Sequence, residues 1–133
     1  MLQIHPAKKF LPHDFLFVKS GKKYLKVLFS EILYLEAKGK YVCVGTCKKI
    51  HMLLASLAYV EETLPADLFV RIHRSYIISL LHTSEFDNDT VIVGCKEFTI
   101  GKQYKGILQE KVFTLSCTSK QDTKRDDEFY QHV

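Results

Sequence analysis

Short apolar runs separated by tight turns recur along most of the chain and restrict it to a fold made of strands. The runs are four to seven residues long and occupy residues 15–19, 24–28, 32–36, 41–44, 50–53, 80–86, 90–93 and 97–100. The connection at residues 20–23 contains Gly21, which can supply the positive φ of a tight hairpin turn. Together with a longer stretch at residues 69–79, these runs predict about nine or ten short strands.

Helical spacing is found in two segments. The first helix is predicted over residues 57–64, with Ser56 as its N-cap and Pro65 as its stop. The second is predicted over residues 102–113, where apolar side chains recur on one face. Gly106 lies inside this second segment and weakens it by about 1 kcal/mol relative to alanine, so tertiary packing has to hold the helix.

The length of 133 residues corresponds to one domain that can bury a core without disulfides or metal. No run of about 18 apolar residues and no signal-peptide segment is present, so we expect a cytoplasmic protein. We expect residues 1–14 to be a leader or linker remnant and residues 15–115 to be the folded domain. Residues 116–133 are polar and charged, and we expect a disordered tail there.

The cysteines and histidines give no sign of a metal site or of catalysis. Cys43 and Cys47 lie four residues apart in a strand-like segment, about 13 Å from one another, which is too far to share a zinc ion. We predict no cofactor, and a redox role of Cys43, Cys47 or Cys95 stays open. No nucleophile elbow, glycine-rich phosphate loop or zinc-protease motif accompanies the six histidines, so we predict that the protein is not an enzyme.

Residues 69–79 combine an apolar run with a high density of hydrogen-bond donors. Arg71, His73, Arg74 and Ser75 fall within five positions. Arginine and serine present hydrogen bonds that match phosphate or base edges, which favours an anion-facing strand end. A salt-bridged strand end of an ordinary soluble domain explains the same residues, and the segment alone does not separate the two interpretations.

Two further basic elements stand where predicted strands or helices begin or end. Residues 38–41, with the sequence Lys-Gly-Lys-Tyr, connect two predicted strands. Residues 102–105 open the second predicted helix, whose free N–H groups and dipole would attract phosphate. In a chain with a net charge of +4, these elements would form an anion-binding surface if the fold brought them together.

The sequence resembles the LytTR DNA-binding domain family in three motifs. These are FLFVKSGKKYLKV…EILYLEAKGKYV, SLAYVEETLP…FVRIHRSYIIS and FTIGKQYK, which together span about residues 15–112. The resemblance implies an all-β fold, namely an elongated β–β–β sandwich of about ten short strands with two short helices. It also implies sequence-specific binding of double-stranded DNA through loops and strand ends, by the output domain of a bacterial transcription regulator.

The contacts known for this family map onto three places in the chain. Lys40 or Tyr41 and Lys102 are expected to reach successive major grooves, with Arg74 at the minor groove between them. The other candidates would serve phosphates or support the site. The candidate DNA-binding residues are Lys38, Lys40, Tyr41, Arg71, His73, Arg74, Ser75, Lys102, Tyr104 and Lys105. Lys102 stands where the family usually has arginine, so weaker base selectivity is expected there.

The resemblance also sets expectations about partners. Family members usually follow a receiver domain of a two-component response regulator or a membrane sensor, and residues 1–14 are too short to contain either. We therefore expect a stand-alone member or a fragment, without membrane contact, that binds repeated half-sites as two copies and can form a homodimer on DNA. The alternative is a β-rich protein-interaction module whose basic patches are incidental.

A regular strand through residues 69–79 would separate the candidate donors. Strand alternation places Ile72 and Ile78 on one face and Ile77 on the other. It also places Arg74 opposite Arg71, so the donors could not all face the same DNA. Either the strand begins only near residue 75 and leaves residues 73–74 in a turn, or Arg71 is structural. We favour the turn, with Arg74 as the contact.

Overall fold

The computed structural model describes residue 11 and residues 13–116. The leader predicted over residues 1–14 and the tail predicted over residues 116–133 lie almost entirely outside the described residues. The ten strands are β1 (Phe15–Ser20), β2 (Lys23–Leu28), β3 (Ile32–Lys38), β4 (Tyr41–Thr46), β5 (Ile50–Leu54), β6 (Phe69–His73), β7 (Tyr76–Ser79), β8 (Thr83–Phe86), β9 (Thr90–Val93) and β10 (Lys96–Thr99). The two α-helices are α1 (Leu57–Thr63) and α2 (Ile107–Lys111), and 3-10 turns cover Phe29–Glu31, Leu80–His82 and Lys102–Tyr104.

The strands form three antiparallel sheets that stack as three layers. β1 and β2 make a two-stranded sheet, β10-β9-β8 a three-stranded sheet, and β5-β4-β3-β7-β6 a five-stranded sheet between them. One apolar cluster joins the five-stranded sheet to the two-stranded sheet and α1, and a second joins it to the three-stranded sheet and α2. The predicted all-β sandwich of about ten strands with two short helices is confirmed. No helix among the described residues has both the length and the apolarity needed to cross a membrane.

Strand β7 shows how the middle sheet divides its side chains between the two cores. Ile77 belongs to the cluster on the side of the two-stranded sheet. Ile78 and Ile72 belong to the cluster on the side of the three-stranded sheet, and both are fully buried. The predicted alternation of these three residues is confirmed. Because both faces of β7 are apolar and covered, this strand has to lie inside the sheet.

Helix α1 begins and ends at the residues that the sequence predicts. The Ser56 hydroxyl accepts a hydrogen bond from the Tyr59 N–H at 3.1 Å and so satisfies one free donor of the first turn. Leu57 and Val60 bury the inner face of the helix. Leu64 adopts an extended conformation before Pro65 and caps the helix C-terminus, as the proline requires.

The second helix and the run at residues 80–86 differ from the prediction. A continuous helix over residues 102–113 is wrong, because Gly106 has a φ of 85° and separates the 3-10 turn at Lys102–Tyr104 from α2. A residue in the left-handed region cannot continue a right-handed helix. Lys102 therefore does not open an α-helix with its dipole. Residues 80–86 begin with a 3-10 turn, and only Thr83–Phe86 extends as β8.

His51 is a buried polar residue at one end of the first core. Its ring lies against the β2 strand and the connection between β4 and β5, where it lines a cavity of about 190 Å³. Burial of the ring and the neighbouring Lys49 ammonium lower the pKa of His51, while the Glu31 carboxylate acts in the opposite direction. Burial thus favours the neutral form of His51 in the folded protein.

We expect the stability of the protein to fall as the pH is lowered from 7 towards 5. The unfolded chain binds a proton at His51 near the ordinary pKa of 6.5, while the folded chain resists it, so protonation favours unfolding. Urea denaturation at a series of pH values measures this slope. His51→Gln should remove the histidine part of the slope, and Lys49→Ala should reduce it. An unchanged slope in His51→Gln would contradict the assignment.

Replacing Gly106 tests the break between the 3-10 turn and α2. In the left-handed region an alanine costs about 1–2 kcal/mol, so Gly106→Ala should destabilise the protein by about 1 kcal/mol. A continuous helix predicts the opposite sign, a gain of up to about 1 kcal/mol. Gly106→Asn is the matched control and should cost less, because asparagine tolerates this conformation better. Urea denaturation at constant m-value distinguishes the two signs.

Candidate functional site

Two hairpin tips lie side by side at one end of the five-stranded sheet. In the first, Lys38 pairs with Tyr41, and Gly39 and Lys40 form the two-residue turn between β3 and β4. Gly39 has a φ of 60°, as the first position of a tight hairpin turn requires. The second tip connects β6 and β7. The Ala37 N–H donates to the Ser75 carbonyl at 2.9 Å and joins the two tips.

The β6–β7 tip contains the densest group of predicted site residues. His73 pairs with Tyr76, which leaves Arg74 and Ser75 as the two residues of the turn. The sequence-based preference for a turn is therefore correct for Arg74, while His73 is the last residue of β6. The strand register shifts between Arg71 and His73. This irregularity interrupts the regular pairing at the end of β6, although Ile72 keeps the face predicted for it.

The third element is the 3-10 turn at Lys102–Tyr104, which lies next to the end of β6. The Gly101 N–H donates to the Ile72 carbonyl at 2.8 Å. The His73 ring approaches Gly101 so closely that a side-chain carbon at this glycine would lie 3.4 Å from it. Lys102 therefore follows the same end of the sheet as the two hairpin tips. From β4 to this turn the three elements extend across four strand spacings, or about 19 Å.

At this end of the five-stranded sheet, which we call the basic edge, four of the described cations have free side chains. They are Lys38, Lys40, Arg74 and Lys102, which come from all three elements and are exposed. None of the four makes an ion pair with another described residue. Tyr41 adds an aromatic ring that is 40% exposed. Unpaired cations beside an exposed ring form a surface that can receive phosphates and base edges.

Arg71 points inward, in contrast to Arg74. Its Nε donates to the His73 carbonyl at 2.8 Å, and its Nη2 donates to the Arg74 carbonyl at 2.6 Å. Its Nη1 lies 2.7 Å from the Glu61 carboxylate on α1. Only 16% of the Arg71 side chain is exposed, and each of its three guanidinium nitrogens bonds to an acceptor within the protein.

The remaining predicted site residues are also engaged within the protein. The Ser75 N–H donates to the His73 Nδ1 at 3.0 Å. The His73 ring also packs on Tyr76, with centroids 4.8 Å apart. Tyr104 packs against the second core, and the Lys105 ammonium lies 2.7 Å from the Asp89 carboxylate.

The sequence analysis missed Glu61, which the tertiary structure brings to the β6–β7 tip. No local pattern marks this residue, because it is one of two adjacent exposed acids on α1. The sulfur groups of the described residues form no comparable site. Cys43 is buried with its Sγ 3.1 Å from the Met52 Sδ, whereas Cys47 and Cys95 are exposed. No group of three or more metal-ligating side chains occurs within residues 13–116.

Comparison with known proteins identifies one family over most of the chain. The model of the LytTr DNA-binding domain matches residues 22–112. A CO-responsive transcriptional regulator of Rhodospirillum rubrum is 42% identical over 55 residues, which are 41% of this chain and 23% of that protein. The chain thus covers about a quarter of this relative. A solved LytTr DNA-binding domain from Bacillus cereus superposes with a TM-score of 0.64 at 25% identity and covers 73% of this chain and 94% of its own.

The two arginines of the β6–β7 tip should differ in their effect on stability. Arg74→Ala removes a side chain that has no partner among the described residues, and it should change the free energy of unfolding by less than about 0.5 kcal/mol. Arg71→Ala leaves two carbonyls and a carboxylate without their donor, and should cost about 1–2 kcal/mol. Urea denaturation measures both. Equal effects of the two substitutions would contradict the assignment of the free and the engaged arginine.

Proposed function

The chain belongs to the LytTR DNA-binding domain family, and on this basis we propose that it binds double-stranded DNA sequence-specifically as the output domain of a bacterial transcription regulator. The observation that carries the proposal is the group of free cations at one end of the five-stranded sheet. Lys38, Lys40, Arg74 and Lys102 come from three separate elements and face solvent without an ion pair to any described residue. No catalytic chemistry is part of this proposal.

The proposed contacts follow the order of the three elements along the edge. Lys40 or Tyr41 reaches one major groove, Lys102 reaches the next, and Arg74 lies at the minor groove between them. Long side chains at both ends extend the span of about 19 Å towards the length of one DNA turn, about 34 Å. Arg74 suits the central position because a guanidinium enters a narrow minor groove readily.

The cations differ in what they contribute to specificity. Lys38 is proposed to bind phosphates, which hold the domain in register without reading sequence. Lys102 presents a single ammonium, so it distinguishes bases less sharply than a bidentate arginine would. Lys105 is held by Asp89 at 2.7 Å and contributes to DNA binding only in a supporting role.

We further propose that two copies bind repeated half-sites, with the regulatory signal supplied by a receiver or sensor domain. A single domain of this kind touches few base pairs, so two half-sites provide the specificity that a genome demands. The relative from Rhodospirillum rubrum is a transcriptional regulator about four times as long as the matched region. It supports the assignment of this chain as the output part of a larger regulatory system.

A protein-interaction module is the second candidate, and it has one observation in its favour. Ile50, Met52 and Leu54 on the edge strand β5 are 57%, 50% and 72% exposed. Leu54 pairs with Tyr41, so this apolar row reaches the end of the sheet where we propose that DNA binds. Exposed apolar rows on edge strands mark surfaces that pair with other chains. The two candidates differ in whether the purified protein binds DNA.

We expect the protein to bind duplex DNA with an affinity that falls steeply as salt is raised. Lysine and arginine contacts release counterions from the phosphates. For each phosphate contacted, the base-ten logarithm of the binding constant therefore falls by about 0.9 for every tenfold rise in salt concentration. Selection from a random-sequence duplex library identifies the preferred site, and fluorescence anisotropy of that duplex across a salt series measures the slope. The protein-interaction candidate predicts no detectable DNA binding even at low salt.

Substitution of single free cations should weaken this binding without unfolding the protein. Arg74→Ala and Lys102→Ala should each cost about 1–3 kcal/mol of binding free energy. The matched control is Lys49→Ala, which removes the same charge from the connection between β4 and β5. That connection is at the opposite end of the sheet, about 17 Å along β4 from Tyr41. A loss in Lys49→Ala equal to that in Arg74→Ala would contradict the proposed interface.

A further inference from the structure

We propose that Arg71 and Glu61 form a clamp that positions the β6–β7 turn, so that Arg74 is preorganised for DNA without Arg71 touching the DNA. This inference depends on the proposed function for its consequence in DNA binding. Its structural basis is the set of bonds by which Arg71 binds the carbonyls of His73 and Arg74 and the carboxylate of Glu61.

The β6–β7 turn needs support that the other tight hairpins do not need. In the described chain, the two-residue turns after Ser20, Lys38 and Val93 each begin with a glycine at positive φ. Such turns match the twist of the paired strands. The turn formed by Arg74 and Ser75 has no glycine, and neither residue has a positive φ. A turn of this kind tends to splay its strands, so other contacts have to hold it closed.

Arg71 and His73 supply these contacts from within β6. The Arg71 guanidinium holds the two successive carbonyls at 2.8 and 2.6 Å. The His73 ring accepts the Ser75 N–H at 3.0 Å on the other side of the turn. The planar guanidinium spreads its donors over three nitrogens that reach both carbonyls and the carboxylate, whereas a lysine ammonium is a compact point charge without this geometry.

Glu61 connects the clamp to a rigid part of the molecule. It lies on α1 next to Val60, which is 7% exposed and packs in the first core. The Ser56 cap and the apolar face of α1 hold the helix against the five-stranded sheet. The position of the Arg74 backbone is therefore tied through Arg71 to the core. A preorganised contact binds more tightly because less conformational freedom is lost on binding.

The variants that decide between the clamp and a direct DNA contact either keep the charge of the replaced residue or have a control with the same change in charge. Arg71→Lys keeps the positive charge but loses the fork, so it should weaken binding of the selected duplex roughly tenfold with an unchanged salt slope. Glu61→Gln should bind more weakly than Glu62→Gln, which removes the same charge from the neighbouring residue of α1. If Arg71 instead contacted phosphate, Arg71→Lys would bind nearly normally, and Glu61→Gln would free Arg71 and strengthen binding. That pair of results would overturn the clamp.

A double-mutant cycle tests whether Arg71 acts through Arg74. In an Arg74→Ala background, Arg71→Lys should weaken binding by less than about twofold, because the positioned side chain is already absent. A full, additive loss in that background would show that Arg71 acts independently of Arg74. Urea denaturation of every variant verifies that the proteins compared are folded.

A measurement on the full chain without DNA separates this inference from the proposed function. Backbone 15N relaxation should show that the amides of Arg74 and Ser75 are as ordered as their strand neighbours in the wild type and become mobile in Arg71→Lys. Unchanged relaxation would refute the clamp even if the protein binds DNA. Failure of the wild type to bind any duplex would refute the proposed function, and the relaxation data would still decide whether the clamp exists.

Discussion

The burial of β3 and β7 on both faces is the constraint on which the rest of the structure depends. Leu35 and Ile77 enter one core, while Tyr34 and Ile78 pack on the other, and these strands pair directly in the middle sheet. A slip of one residue would turn each side chain towards the wrong core, so the register is strongly specified. This register brings the tip of the β3–β4 hairpin beside Ser75, and with it the edge that we propose for DNA.

The distribution of basic residues matters less than the partners that each one has. Beside the free cations, the protein has cations that are already paired, namely Arg71 with Glu61 and Lys105 with Asp89. A paired, half-buried arginine would have to break its internal bonds before it could bind a phosphate. The net gain in binding free energy from that exchange is small. We therefore propose that the free side chains meet the DNA and that the paired ones hold them in place.

The β6–β7 tip shows how a residue proposed to bind DNA can be supported by a contact with another layer of the fold. Its turn lacks the glycine that closes the neighbouring β3–β4 hairpin, and in exchange it presents an arginine side chain at its outermost point. Glu61 lies ten residues before Arg71 and on a different layer of the sandwich. A turn of non-glycine residues that is braced from the core can combine a functional side chain with a fixed backbone.

The sequence by itself determined the strands, the first helix and the division of the central isoleucines between two cores. These features depend on the alternation of apolar residues, on the helix cap at Ser56 and on Pro65. Each of these signals acts over a few residues and can be recognised in the sequence. The resemblance of three motifs also indicated the family and the candidate contacts. The prediction of one continuous second helix was wrong, because a glycine such as Gly106 can either weaken a helix or interrupt it. Which of the two occurs depends on whether the folded structure places the glycine in the left-handed conformation, as it does here.

Only the tertiary structure decided which donors of residues 69–79 are free. Arg71 and Arg74 are the same residue type three positions apart, and strand alternation places them on opposite faces without showing which one the protein pairs. The difference arises from a register shift in β6 and from a carboxylate on α1, both of which depend on strand pairing and helix docking. Hydrogen bonds between distant segments have no signature in one dimension, so the chain specified its donors while the fold assigned their partners.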